Sequence, residues 1–410
     1  MNNKKTPNRN LVLAAGMVIQ FCAGVIYMWS VFREPITAHL DWDAIAASHT
    51  ATVKLSVFVL GIIIGGYIQD RVGPKIVTLT GSIMIGLGMI ATALVTANNI
   101  GSNVPWLIYI TYGVVAGLGV GAVYMCTIAA VQKWFPDRRG FASGMINCAF
   151  GLSLVVFAPL ANTMMTVWSV PTTFLLFGVS FLIVCIICSL YIQNPCEHQF
   201  ARYSAASPQV KAATEKKQYT PKEVVQTKQF YLLLFGMLFT LPAYMILNPA
   251  FVSLGMVRGL SNEMAVLGVS LTGVSSALGR LTVSWTSDSL GRKTSMVSIA
   301  VITLLASLIL VFGESGVFII CIMLVAFAFG GSASIYATMT ADSFGTKHGG
   351  MNLGLVMIGF LVSALVFPII STRLTVDGNY TSSFILAAAS CVVAIILVLM
   401  MKEPKEGVII

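Results

Sequence analysis

Two cations in this sequence stand where charge is expensive. Arg280 lies within the apolar run VSLTGVSSALGRLTV, and Lys54 lies within TVKLSVFVLGIII. A guanidinium presents a planar fork that matches a carboxylate, so the chemistry open to Arg280 is anion recognition. Arg280 precedes Asp288 by eight residues, which on a helix is roughly 12 Å from the boundary that Asp288 marks. Half a hydrocarbon core is about 15 Å, so the spacing predicts an arginine near the bilayer midplane. Burial there costs ~3 kcal/mol on insertion scales. All 15 acidic residues fall in loops, tails or helix ends. The simplest counter-charge is therefore an anionic substrate. The alternatives are an arginine that snorkels to the aqueous side or donates to backbone carbonyls. Ser276 and Ser284, one turn to either side, extend a polar stripe. Lys54 is about five residues inside its run. That depth favours snorkelling to the outer surface, with an electrostatic funnel for anions or a coupling site shared with His49 as the functional alternatives. His39 and His348 read as loop residues without a role.

The elements that must hold these residues follow from composition. Of 410 residues 57% are hydrophobic and 10% charged, against about 25% charged in soluble domains. With a mean hydropathy of +0.88, these values exclude a soluble enzyme, a disordered chain and a disulfide-stapled secreted domain. About twelve apolar runs are long enough to span a bilayer. They cover 11–32, 48–69, 76–97, 105–131, 141–165, 172–192, 230–252, 262–286, 294–313, 316–339, 352–373 and 382–401. Their pattern is not the alternation of a barrel, so lipid forces them into helices. The first run has no cleavage site and is expected to remain as a helix.

The net charge of +9 is explained by topology rather than by nucleic acid. With both termini on one side, that side holds nineteen of the 24 Lys and Arg residues and the other holds Arg33, Arg258 and Arg373. The positive-inside rule then puts both termini in the cytoplasm. The fold class expected is an all-α membrane protein with twelve transmembrane helices in two six-helix bundles. Residues 1–192 form the N-terminal bundle, 193–229 a basic, Ser/Ala/Pro-rich cytoplasmic linker, and 230–410 the C-terminal bundle. Seven of the eight cysteines lie in apolar stretches, and the Cys185–Cys188 pair has no second pair or histidine nearby, so no metal is expected.

The two halves repeat a loop. GYIQDRVGPK (66–75) follows the second run and SWTSDSLGRK (284–293) follows the eighth, each with Asp, then Gly three residues on, then Lys five residues on. Gly66 allows close helix packing, Gly73 permits a tight turn, and Asp70 can accept hydrogen bonds. The pattern resembles the signature between helices 2 and 3 of the major facilitator superfamily. A second loop, KWFPDRRGFASG (133–144), is similar to that of oxalate/formate antiporters and the related monocarboxylate transporters. CAGVIYMWSVF, GLGVGAVY and FGGSASIY followed by ADSFGT extend the likeness over all quarters of the chain.

What the resemblance implies is a carrier of small carboxylates with a midplane site. The family's helix-8 arginine, which binds substrate carboxylate, carries over to Arg280. Tyr27, Tyr124 and Tyr336 match pocket positions, although Tyr336 is also close enough to its helix end to sit in an aromatic belt. Gln20, Asn147, Asn248 and Phe329 are weaker candidates. Gly66, Asp70, Arg71, Gly73, Lys75, Arg138, Arg139, Asp288, Gly291 and Arg292 would form the cytoplasmic gate. Phe360 stands where oxalate antiporters carry a second cation, which argues for a monocarboxylate with a short apolar tail. Ser276 stands where animal-type carriers have an aspartate, so proton coupling through that pair is not expected.

The function expected is secondary active transport of a lactate-, pyruvate- or formate-type anion, by exchange or proton symport. An oxalate antiporter and a transporter-like carboxylate sensor are the alternatives. No enzyme, cofactor or nucleic-acid partner is expected. The partners would be the substrate and the lipid of the plasma (inner) membrane, around a functional monomer. Asn379 opens a glycosylation sequon.

Overall fold

The computed structural model describes residues 8–42, 44–100, 104–196, 199, 203, 218–312, 315–375 and 380–401. Asn379, most of the linker and the basic residues Lys4, Lys5, Arg202, Lys211, Lys216, Lys217, Lys402 and Lys405 lie outside the described residues. So does the side chain of His49.

The described chain is helical throughout. Helix α1 (Arg9–Ala23) starts at Asn8, whose side chain accepts from the Asn10 amide at 3.2 Å. It passes through a 3₁₀ stretch (Gly24–Met28) into α2 (Trp29–Leu40). Then come α3 (Ala44–Val72), α4 (Pro74–Ala97) and α5 (Trp106–Trp134), whose residues Tyr109–Ala116 are wound as a π-helix. Helices α6 (Arg139–Val167) and α7 (Val170–Ser189) follow. After one capped turn at Pro221–Val224 come α8 (Lys228–Thr240), α9 (Pro242–Val257), α10 (Asn262–Leu290), α11 (Arg292–Phe312), α12 (Ser315–Phe344), α13 (Gly349–Val356), α14 (Ile358–Leu374) and α15 (Thr381–Met400).

Several apolar runs that read as unbroken helices are interrupted. The run 230–252 breaks at Leu241, because Pro242 has no amide hydrogen and its ring crowds the preceding turn, so it opens a new helix. The run 352–373 breaks at Met357, between α13 and α14. Hydropathy registers none of this, since breaks of one residue leave the mean unchanged.

Among the described residues, eleven helices are long and apolar enough to cross a membrane. Helix α10 (Asn262–Leu290), which carries Arg280, is not one of these eleven; it has 29 residues and would extend ~44 Å. Many large side chains on these helices face outward, among them Ile64, Leu94, Ile187, Phe312 and Ile396. An exterior of that kind is matched to lipid.

The chain packs into two compact units. One comprises residues 1–137, 152–211 and 346–354; the other comprises 138–151, 212–345 and 355–410. In the first unit, α3 and α5 touch backbone to backbone: a side chain at Gly61 would stand 3.1 Å from Gly121 Cα. In the second unit, α10 and α12 cross the same way. A side chain on Gly279 would strike the Phe327 carbonyl, and one on Gly330 would strike the Ser276 carbonyl. An apolar core including Leu247, Phe251, Leu310, Phe318 and Phe384 fills the rest of this unit.

Candidate functional site

The Gly279–Gly330 crossing sets the position of Arg280. It brings together the residue after Gly279 and the residue before Gly330, so the Arg280 guanidinium lies 6.0 Å from the Phe329 ring centre. From the other side α6 approaches through small residues. A side chain on Gly144 would lie 3.0 Å from the Arg280 carbonyl, and one on Gly151 would lie 3.3 Å from Ala277. That approach places Phe150 5.4 Å from the guanidinium carbon. Arg280 is 2% exposed and Nη1 donates to the Asn147 carbonyl at 3.2 Å. The buried cation is thus held by a backbone dipole and flanked by two aromatic faces, which attract it through their quadrupoles. Donation to a backbone carbonyl is realised; snorkelling is not.

The aromatic wall continues outward from Phe329. Its ring stacks on Tyr244 at 3.8 Å and 10°, and lies 6.4 Å from the ring of Phe360. Phe360 is 4% exposed. Tyr244 also lines a small indentation shared with Asn248, Phe251 and Thr272. Ser276 and Ser284 are buried on the same helix as Arg280. Ser284 Oγ is without a hydrogen-bond partner among the described residues.

Asn147 acts here through its main chain, because its side-chain amide donates to Ser143 O at 2.9 Å. Tyr336 is 1% exposed, inside the protein rather than in a surface belt. Its hydroxyl lies 3.1 Å from Thr240 Oγ1. Phe150 and Tyr244 had no signal as site residues in the sequence; Phe150 is one turn beyond Asn147, and that spacing on one helix face is what could have found it.

In the other unit, Tyr124 is buried with its ring 5.5 Å from Phe58. Its carbonyl accepts from Gln20 Nε2 at 3.3 Å, which also donates to Thr127 Oγ1 at 3.0 Å. Tyr27 is half-buried in the 3₁₀ stretch. Lys54 corrects the snorkelling expectation. It is 2% exposed, and Nζ turns inward to Tyr112 Oη at 2.6 Å and Val25 O at 3.3 Å. These polar partners are nearer than the headgroups, and α3 begins at Ala44, which puts Lys54 ten residues inside the helix.

The repeated loops have matching geometry. Gly73 has φ +88° and Gly291 φ +89°, a conformation that favours glycine. Each loop's aspartate reaches a helix N-terminus. Asp70 accepts from the amides of Gly350 at 3.4 Å and Met351 at 3.1 Å. Asp288 accepts from those of Gly140 at 3.1 Å and Phe141 at 3.0 Å. Those amides have no partner in the first turn of their own helix, and the helix dipole favours an anion there. Gly66 lies against Gly350, where a side chain would meet backbone at 2.5 Å. Arg292 joins Asp288 at 2.6 Å and Asp342 at 2.9 Å, and Asp342 also meets Arg139 at 3.1 Å. Arg71 is exposed over the Tyr67 ring, and Lys75 and Arg138 are exposed.

The sequence pattern of the Major Facilitator Superfamily matches residues 13–273 and 233–409. The chain belongs to this superfamily. Among its relatives is the oxalate:formate antiporter of Oxalobacter formigenes, 26% identical over 94% of this chain and 88% of that protein. Monocarboxylate transporter 12 of Xenopus laevis is 22% identical over 82% of this chain and 75% of that protein. The crystal structure of the Escherichia coli fucose:proton symporter superposes with a TM-score of 0.68 at 14% identity, covering 97% of this chain and 100% of that one. The protein is therefore an all-helical, multi-pass member of a membrane transporter superfamily, related to oxalate:formate and monocarboxylate carriers, and its relatives are transporters rather than enzymes.

Proposed function

We propose that this protein is a secondary active transporter of small monocarboxylates of the lactate, pyruvate or formate type. It works by alternating access between two six-helix bundles, residues 1–192 and 230–410, joined by a cytoplasmic linker. It lies in the plasma (inner) membrane with both termini cytoplasmic, as the distribution of Lys and Arg indicates. One observation carries the reading: Arg280, buried to 2% exposure between Phe150 and Phe329.

A cation so placed is a receptor for a carboxylate, and its aromatic flanks suit an apolar tail. Phe360 closes the apolar end, and Ser276 and Asn147 border the arginine. Tyr27 and Tyr124 are the substrate-contacting candidates within the N-terminal half, and Tyr336 braces the C-terminal one through Thr240. The two capped loops, with Arg138 and Arg139, form the cytoplasmic gate. Among the described residues Arg280 is the one cation placed against Phe150 and Phe329, which favours a substrate with one carboxylate over oxalate.

Counterflow in proteoliposomes tests this. Vesicles preloaded with unlabelled lactate, formate, pyruvate or oxalate should transiently accumulate the labelled monocarboxylates. Absence of any carboxylate flux would remove the proposal.

A further inference from the structure

Lys54 has no part in the carboxylate site, yet it is as deeply buried as Arg280. Its position is fixed by backbone contact: a side chain on Gly117 of α5 would stand 3.2 Å from the Lys54 carbonyl. Two neighbouring segments lose regular α-winding at this level. One is the 3₁₀ stretch Gly24–Met28, and the other is the π-helix Tyr109–Ala116. Irregular turns of this kind recur at functional positions. Lys54 Nζ binds one group from each, the Val25 carbonyl and the Tyr112 hydroxyl. Nζ also lies 3.9 Å from the Tyr112 ring centre. Around that ring stand Trp29 at 5.4 Å, Phe174 at 5.6 Å and Phe32 at 6.2 Å.

Among the described residues, the partners of this amine are a phenol, a carbonyl and an aromatic face, with no carboxylate. Such a shell serves two protonation states. An ammonium donates to both Tyr112 Oη and Val25 O. A neutral amine accepts from the Tyr112 hydroxyl and still donates to Val25. The phenol's ability to act either way lets the proton come and go without rebuilding the site.

We propose that Lys54 is the proton-binding group of the transport cycle. A proton from the aqueous phase adds to the amine lone pair, giving the ammonium, and leaves to water on the other side after the carboxylate has crossed. This rests on the reading of the chain as a carboxylate carrier, and deepens it by naming the coupled ion. The link to substrate is Val25, two residues before Tyr27 in the same 3₁₀ stretch, so a change of charge on Nζ alters the pull on a pocket wall. Other titratable or charged groups on the elements around Lys54 are Arg9, Cys22, Tyr27, Arg33, Glu34, His39 and Asp41 on or beside the first two helices, Tyr109, Tyr112, Tyr124, Cys126 and Lys133 on α5, and His49, Tyr67, Asp70 and Arg71 on its own helix. Of these, His39 is engaged with Thr96 O at 3.1 Å, and the side chains of Glu34 and His49 lie outside the described residues.

The experiment compares two modes of uptake in proteoliposomes holding the full chain. Wild type should accumulate labelled lactate at least about tenfold when the outside is acidified relative to the inside. Lys54→Gln should keep lactate counterflow within about twofold and lose the gradient-driven accumulation. Accumulation by Lys54→Gln equal to wild type overturns the proposal. So does wild-type counterflow with no response to the proton gradient, a result that leaves the carboxylate reading intact. Loss of all carboxylate flux in wild type would instead remove that reading. If Lys54→Gln cannot be recovered folded, Tyr112→Phe serves. It should move the pH of half-maximal accumulation, and an unchanged pH profile overturns the assignment.

Discussion

Asp288 caps the helix that begins beside Gly140 from another part of the chain: Oδ1 accepts from the Gly140 amide and Oδ2 from that of Phe141. The same carboxylate meets Arg292 at 2.6 Å. Asp288→Asn keeps the shape and removes the charge, so the N-terminal dipole of α6 loses its anion and Arg292 keeps only Asp342. Loss of a cap or dipole partner costs ~1 kcal/mol. The variant should melt earlier than wild type in detergent, and Asp288→Ala earlier still. Asp70→Asn, which loosens the matching cap on Gly350 and Met351, should behave likewise. Thermal unfolding followed by intrinsic fluorescence checks this, and unchanged melting in all three variants would contradict it.

Arg280→Gln should abolish lactate counterflow while the protein still inserts and purifies as a monodisperse species. Gln retains donors for the Asn147 carbonyl but offers no charge to a carboxylate. Arg280→Lys keeps the charge and loses the planar fork and the aromatic sandwich with Phe150 and Phe329, so it should weaken lactate binding rather than eliminate it. Binding is read by ligand-induced thermal stabilisation. A Gln variant with wild-type affinity would remove Arg280 from the site.

The reach of the sequence can be judged from these residues. Arg280 was legible because one charge in an apolar run has a calculable depth, and the loops were legible because they occur twice. The inward turn of Lys54 is not legible in sequence because its partners, a carbonyl on α1's 3₁₀ extension and a hydroxyl on α5, are remote along the chain. The same applies to Phe150, which reaches Arg280 only because Gly144 and Gly151 let α6 lie against α10. Helix breaks at Leu241 and Met357 escaped hydropathy, although Pro242 announced the first.

The crossing of α10 and α12 carries its own prediction. A methyl at Gly330 would be forced onto the Ser276 carbonyl, and backbone in a packed helix pair yields little. Gly330→Ala should therefore destabilise by ~1–3 kcal/mol through overpacking. Because the displaced residues lie beside Phe329 and Arg280, it should also reduce lactate affinity more than an equally destabilising change in the distant core, such as Phe384→Leu. Equal affinity in the two variants would show that the crossing supports stability alone.

Phe360 makes the sharpest specificity test. Its ring lies 6.4 Å from that of Phe329, which in turn lies 6.0 Å from the Arg280 guanidinium carbon. A dicarboxylate bound at Arg280 with its second carboxylate toward Phe360 would leave that charge buried against rings and without a cation. Phe360→Lys supplies one. The isolated lysine is costly in the empty pocket, so the variant should be less stable without ligand and should be stabilised by oxalate more than by lactate. The ratio of oxalate to lactate counterflow should rise by about tenfold, which corresponds to ~1.4 kcal/mol of differential interaction. Phe360→Met controls for loss of the ring, since it opens space without adding charge, and should leave the ratio near that of wild type. A folded Phe360→Lys variant with an unchanged ratio would mean that the apolar end of the pocket lies elsewhere, and the argument for a monocarboxylate substrate would lose its basis.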